Sequence, residues 1–334
     1  MRRQIQTFFR GLVKKETVPS EEKAPDNSKY IPEQSYTEEE DEAKVLGSVV
    51  ETRIGRYRLE KFEAGGVCQI FRGVAIDDDE DAKPRPNIAV KRIRPKWHKH
   101  SAVQEQFQRE IGIIRDFIHP SLPQYVDRGD LAGQDFYAYE FIDGYPLIHL
   151  CQNKDRFPLE LVQEIAVSVL KQLLSQLSYL HEQMYTIVHG DISAENVLIN
   201  DAQKVYLVDF GCAYRRKKVS EESYQWLGKP SYISPEQAQG DTWDQRSDLY
   251  QVAILFYELV SAQRWNQGKD SKEKILSASS KQTPADDFLV PFTSPGVSKL
   301  ISEMLEPDQH KRIQSANECY RRLEQAEASS LAKQ

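Results

Sequence analysis

The chain has 334 residues, 40% of them hydrophobic and 28% charged, with 44 Lys and Arg against 51 Asp and Glu for a formal net charge of −7. That is the composition of a globular protein long enough for one large domain, or two lobes around a cleft, and too large for a small disulfide scaffold. Net acidity argues against a general nucleic-acid coat, whose affinity would come from a basic face neutralising phosphates.

Cys68, Cys151, Cys212 and Cys319 are far apart and form no CxxC pair, so neither a zinc site nor a disulfide framework is indicated and a reducing compartment is expected. The longest apolar stretches, Val252 to Val260 and Val167 to Leu180, fall short of the roughly 20 residues that cross a bilayer. A soluble, cytoplasmic protein is expected.

Residues 1–16, MRRQIQTFFRGLVKKE, place Ile5, Phe8, Phe9, Leu12 and Val13 at helical spacing among basic side chains. A short basic amphipathic helix follows, read either as a membrane-surface or partner-docking segment or as a frayed, solvated terminus. Residues 17–53 are Pro-containing and include the acidic run Glu38 to Glu42; they cannot supply a core and read as a disordered linker. Order is expected from Ile54.

Between Arg56 and Tyr139 come alternating or β-branched runs, Tyr57 to Phe62, Gln69 to Val74, Ile88 to Ile93 and Phe136 to Phe141, with one helical pattern over Val103 to Ile118. The acidic, Pro-containing insertion Asp77 to Pro86 reads as a long hairpin loop. From Pro158 onward the pattern turns helical, over Leu159 to His181, Ser247 to Ser261 and Gly296 to Leu305. The fold class is α+β and bilobal, with a small β-rich N-lobe and a larger, mainly α-helical C-lobe.

The chemistry concentrates in His189-Gly190-Asp191-Ile192-Ser193-Ala194-Glu195-Asn196, followed by Val208-Asp209-Phe210-Gly211. An Asp, an Asn five residues on and a second Asp thirteen further, each beside an apolar strand-like run, suit a divalent cation and a phosphoryl donor. Oxygen ligands suit hard Mg²⁺, which takes one or two carboxylates plus phosphate oxygens and water. Asn196 and Asp209 are therefore candidate metal ligands, and Asp191 is free to orient an attacking hydroxyl.

Here the chain resembles the protein kinase superfamily, over about Ile54 to Glu324. Ile88-Ala89-Val90-Lys91 resembles the strand that carries the ATP-anchoring lysine, and Arg109-Glu110-Ile111 the helix whose glutamate pairs with it. Ser234-Pro235-Glu236 resembles the end of the activation segment, Ser247-Asp248-Leu249-Tyr250 the start of the central C-lobe helix, and Arg312 the arginine that pairs with Glu236. The resemblance implies a kinase domain over 54–326, divided at 140/141, with a short tail over 327–334. It also implies ATP and Mg²⁺, protein substrates, and catalytic roles for Lys91, Glu110 and Asp191. His189, Phe210 and Ile114 would be packing elements.

Phe136 to Gly144 resembles the fifth strand and hinge, with Tyr139 as gatekeeper and the backbone of Glu140 and Ile142 facing adenine. Phe62, Gly65, Gly66, Ile70, Ala89 and Leu198 complete the expected nucleotide contacts.

The sequence departs from the family at the phosphate loop, Glu63-Ala64-Gly65-Gly66-Val67-Cys68, where only Gly65 keeps its place. Gly190 stands where an arginine usually docks an activation-segment phosphate, so activation need not depend on that phosphate. Ser193 replaces a lysine that approaches the γ-phosphate, and Lys229 replaces the threonine expected after Gly228. Two readings of Lys229 stand: its ammonium fills the space vacated at Ser193, or it faces solvent. Ser193 and the altered glycine loop motivate a nucleotide-binding pseudokinase or scaffold as an alternative; Gly190 motivates a small-molecule phosphotransferase. Retained Lys91, Asp191, Asn196 and Asp209 favour a Ser/Thr protein kinase.

Overall fold

The computed structural model describes residues 44–64, 66–76, 85–216 and 228–331. It divides into two compact units at Asp143/Gly144, three residues beyond the expected lobe boundary. The basic segment over 1–16, most of the acidic linker, Gly65, residues 77–84 of the insertion and the activation-segment residues 217–227 lie outside the described residues.

The N-terminal unit is a six-stranded antiparallel sheet ordered β1-β2-β3-β4-β6-β5. Its strands are β1 (Val49–Thr52), β2 (Gly55–Ala64), β3 (Cys68–Ala75), β4 (Ile88–Ile93), β5 (Tyr125–Asp130) and β6 (Asp135–Glu140). Strand β3 alternates buried Gln69, Phe71 and Gly73 with less buried neighbours, as a strand with one covered face should. Every residue of the central β4 is buried. One core joins Val50, Tyr57, Leu59, Phe71, Ile88, Val90, Phe136 and Ala138.

Strand β1 shortens the expected linker. Val49–Thr52 pair with Arg58–Gly55 of β2, and Val45 and Val50 are buried, so two apolar side chains suffice to seat a segment whose surrounding composition is polar.

Helix α1 (Ser101–Ile114) buries Phe107, Glu110, Ile111 and Ile114, the i, i+3, i+4, i+7 stripe of an amphipathic helix. It stops four residues short of the expected end. Ile118, counted in the sequence as part of the apolar face, is 86% exposed, whereas Phe117 and Leu122 turn inward.

The C-terminal unit is helical. Strand β7 (Tyr145–Pro146) leads to α2 (Ile148–Asn153) and α3 (Leu159–His181), whose apolar face from Leu161 to Leu180 is buried. Then come β8 (Thr186–Val188), β9 (Val197–Ile199), β10 (Val205–Leu207) and β11 (Tyr214–Arg216), with β10-β9-β7 forming one small sheet and β11-β8 another. Helices α4 (Pro235–Gln239), α5 (Gln245–Ser261), α6 (Ser271–Ser279), α7 (Pro295–Met304) and α8 (Ala316–Leu331) complete it. Helix α4 opens on a capping box between Ser234 and Gln237, which satisfies two end donors at once. Helix α5 is buried from Ser247 to Phe256 and packs on α3.

Helix α8 runs through most of the expected tail, to Leu331, with Leu323 fully buried. Among the described residues no helix is long and apolar enough to cross a membrane. No disulfide joins the four cysteines.

Candidate active site

In the N-terminal unit the strand register gathers the expected nucleotide-facing residues on one side of the sheet. Ile70 lies opposite Lys91, and Ala89 lies opposite Tyr139. Because side chains alternate along a strand, Ala89 and Lys91 share a face. Ala89 is buried; Ile70, Tyr139 and Ile142 are half-buried; Glu140 is exposed at the strand end. Phe62 lies at the shift of register between Lys61 and Glu63 in the β2–β3 hairpin. Gly66, past Gly65, accepts a hydrogen bond at its carbonyl from the Trp97 indole at 3.2 Å.

Lys91 Nζ lies 2.7 Å from Glu110 Oε1, with side chains only 7% and 3% exposed. A pair this dry persists because each charge compensates the other's lost hydration. Tyr137, which the sequence did not single out, lies opposite Lys91 in β6 and packs 5.3 Å from Phe107 and 5.6 Å from Tyr139. Burial first, and then the Glu110 charge, push its phenol well above the ordinary range, so it stays protonated beside the ion pair. The signal was available: Tyr137 is two residues before Tyr139 and so on the same face.

In the C-terminal unit the loop from His189 to Asn196 is held from α5. Asp248 accepts hydrogen bonds from the backbone N–H of His189 at 2.9 Å and of Gly190 at 2.8 Å. Gln251, one turn on, accepts from Ile192 N at 2.8 Å and donates to Gly190 O at 2.9 Å. Gln251 was missed in the sequence, although a buried amide three residues after Asp248 in an apolar helix needs partners.

His189 is fully buried. Burial lowers its pKa against the pull of the Asp248 and Asp191 charges, so the ring is neutral. Nε2 reaches Val208 O at 3.2 Å and Nδ1 accepts from Asp191 N at 3.3 Å. The ring meets Phe210 edge-on at 4.8 Å.

Gly190 has φ +75°, and a Cβ there would stand 2.6 Å from the Trp243 ring. The indole fills the space a side chain at Gly190 would take. It packs at 4.8 Å on Tyr214, whose hydroxyl donates to Trp243 O at 2.6 Å. Trp243, too, went unnoticed in the sequence, because nothing in its neighbours marks which loop it faces.

Asp191 is 7% exposed. Its Oδ1 accepts from Lys229 N at 2.8 Å, and its Oδ2 accepts from Asn196 Nδ2 at 2.9 Å. Lys229 Nζ lies 3.3 Å from Asp191 Oδ2, 3.1 Å from Ser193 Oγ and 3.2 Å from Asn196 Oδ1. Of the two readings of Lys229, the structure has the inward one. Burial alone would lower the Lys229 pKa, but the charges of Asp191, Glu195 and Asp209 raise it, so the ammonium is retained.

Asn196 O accepts from Val208 N at 2.9 Å, which ties the asparagine to the residue preceding Asp209. Asp209 is exposed, with the left-handed backbone φ 61°. Leu198 follows in β9, half-buried. Among the described residues no group of three or more His, Cys, Asp or Glu is arranged to hold a metal ion. The donors present are an amide oxygen with a second lone pair beyond its Lys229 contact, and an exposed carboxylate. They fit Mg²⁺, which completes its shell with phosphate oxygens and water rather than an all-protein cage.

Downstream, Glu236 is clamped by Arg312 through bonds of 2.7 and 2.9 Å and by Ser247 Oγ at 2.6 Å. Tyr232 OH donates to Glu258 at 2.6 Å, and Asn266 Nδ2 to Ile233 O at 2.9 Å.

The sequence profile described as "Protein kinase domain" matches residues 64–322. Curated relatives include the serine/threonine-protein kinase pkn2 of Myxococcus xanthus, 29% identical over 79% of this chain and 31% of the relative. PksC of Streptomyces coelicolor is 29% identical over 80% of this chain and 49% of its own length. PrkC of Bacillus subtilis is 24% identical over 79% and 39%. The chain thus spans between about a third and a half of the length of these relatives. With the profile covering both units, the paired Lys91 and Glu110, and the ordered Asp191, Asn196, Asp209 and Glu236, the chain belongs to the protein kinase domain family.

Proposed function

We propose that the chain is an active kinase that transfers the γ-phosphoryl group of ATP to Ser or Thr hydroxyls of protein substrates. The observation that carries this reading is Asp191, a nearly buried carboxylate fixed by the Asn196 amide of its own loop and by the backbone N–H of Lys229 from a second segment. The hydroxyl oxygen would bond to the γ-phosphorus as the bond from that phosphorus to the β–γ bridging oxygen breaks. ADP leaves with the electron pair, and the hydroxyl proton passes to Asp191. Lys91, oriented by Glu110, would hold the α- and β-phosphates.

Asn196 and Asp209 would hold Mg²⁺, whose chemistry when bound is to neutralise phosphate charge. Ile70, Ala89, Tyr139 and Leu198 would contact the base, with the backbone of Glu140 and Ile142. The seating of residues 229–236 supports a protein rather than a small-molecule acceptor, since Tyr232, Ile233 and Glu236 are each anchored. Ser193 favours the pseudokinase reading; the ammonium beside Asp191 argues against it. A reducing, cytoplasmic setting, with membrane-surface docking through residues 1–16, completes the proposal.

The test is phosphoamino-acid analysis of a generic basic protein incubated with γ-labelled ATP and Mg²⁺. Phosphoserine or phosphothreonine is expected. Phosphotyrosine alone, or label only on small molecules, would overturn the assignment.

A further inference from the structure

The catalytic loop lacks a lysine at Ser193, yet the space beside Asp191 holds a positive charge. Lys229 Nζ touches oxygens of Asp191, Ser193 and Asn196 between 3.1 and 3.3 Å. The hydroxyl and the ammonium have in effect exchanged positions along the chain: Ser193 supplies the hydroxyl from the loop, and Lys229 supplies the cation from 36 residues downstream. We infer that Lys229 is a catalytic residue, its ammonium stabilising the γ-phosphoryl group in transfer, and that this charge is delivered by the same segment that seats the protein substrate.

The inference rests on the kinase reading and adds a coupling that the reading does not contain. Phosphoryl transfer is catalysed mainly by position and charge, so an ammonium held before the reaction costs no reorganisation during it. The Lys229 side chain is 25% exposed, against 10% for Asp191, so it is partly open to solvent where Asp191 is nearly closed off. Its backbone is fixed as well, because Lys229 N donates to Asp191 Oδ1 at 2.8 Å and Lys229 O accepts from Tyr232 N at 2.9 Å. Tyr232, Ile233 and Glu236 then anchor the segment to Glu258, Asn266 and Arg312. Where a cation borne on the loop would stay beside Asp191 however the segment lay, one borne at Lys229 leaves with it. A single rearrangement would remove both the substrate platform and the charge.

The experiment compares wild type, Asp191→Asn, Lys229→Thr and the exchange Ser193→Lys/Lys229→Thr. It measures kcat and KM for a basic protein substrate, and the affinity for a non-hydrolysable ATP analogue relative to ADP. Lys229→Thr should lower kcat by about 10²-fold with KM changed less than about threefold, the pattern of a lost transition-state charge. It should also reduce the preference for triphosphate over diphosphate. The exchange should recover at least about tenfold of the lost kcat, since the charge returns from the loop side.

Wild-type kcat in Lys229→Thr, with Asp191→Asn inactive, would overturn the inference and leave the kinase reading standing. A loss in Lys229→Thr that the exchange does not recover would overturn it too, assigning Lys229 a structural part. Wild type no more active than Asp191→Asn would overturn the kinase reading and the inference together.

Discussion

Lys91 and Glu110 form a buried ion pair at 2.7 Å that links the central strand β4 to helix α1 within the N-terminal unit. The pair's contribution to stability and its proposed part in holding nucleotide separate by substitution. Lys91→Ala removes the cation that faces the buried Glu110 carboxylate, which costs about 3–5 kcal/mol. The double change Lys91→Met/Glu110→Leu removes both charges and should restore most of that stability, while phosphate transfer stays absent in both proteins. Urea unfolding beside the transfer assay checks this. Equal loss of stability in the single and double variants would show that packing, not the pair, is at stake.

Gly190 is held by sterics. Gly190→Ala must place a Cβ at φ +75° and 2.6 Å from the Trp243 ring, so a loss of about 2 kcal/mol is expected. In a Trp243→Leu background the same change should cost about 1 kcal/mol, the backbone part alone. A thermal-unfolding double-mutant cycle reads the difference. Equal costs in the two backgrounds would show that the indole does not set the glycine.

The Glu236–Arg312 clamp makes a pH-dependent contribution. Burial raises the Glu236 pKa, but the Arg312 and Ser247 hydrogen bonds outweigh it and hold it below its unfolded value of 4.5. The folded state therefore keeps the carboxylate ionised where the unfolded chain has taken up a proton. The clamp's stability is complete above about pH 4.5 and lost as pH falls through the lower folded value. Melting temperature from pH 3 to 7 should fall more steeply on acidification in wild type than in Glu236→Gln/Arg312→Met. Parallel curves would contradict the assignment.

Much of this architecture is legible in the residues. Leu159–His181 appears as a helix in both sequence and structure because its apolar stripe is unbroken over six turns. Lys91 and Glu110, nineteen residues apart, meet because a central strand and a neighbouring helix bring them face to face. Elements set by a few long-range contacts were less legible. Strand β1 depends on Val45 and Val50 being covered by the sheet, although the local composition reads as linker. Ile118 satisfies helical periodicity yet is exposed, because α1 has already ended and the chain has turned. Gln251 and Trp243 act through tertiary neighbours about sixty and fifty residues away, which no local pattern encodes. Lys229 was legible only as a choice between solvent and site, and packing decided it.

Asp191, fixed by Lys229 and Asn196, is proposed to accept the proton of a protein hydroxyl during phosphate transfer. The most direct measurement is single-turnover transfer from γ-labelled ATP with Mg²⁺, wild type against Asp191→Asn, with nucleotide affinity measured on both. Asp191→Asn preserves size and one acceptor oxygen but removes the base, so transfer should fall by at least about 10²-fold while ATP affinity stays within about threefold. Equal transfer in the two proteins, or nucleotide binding without transfer in wild type, would contradict that role for Asp191.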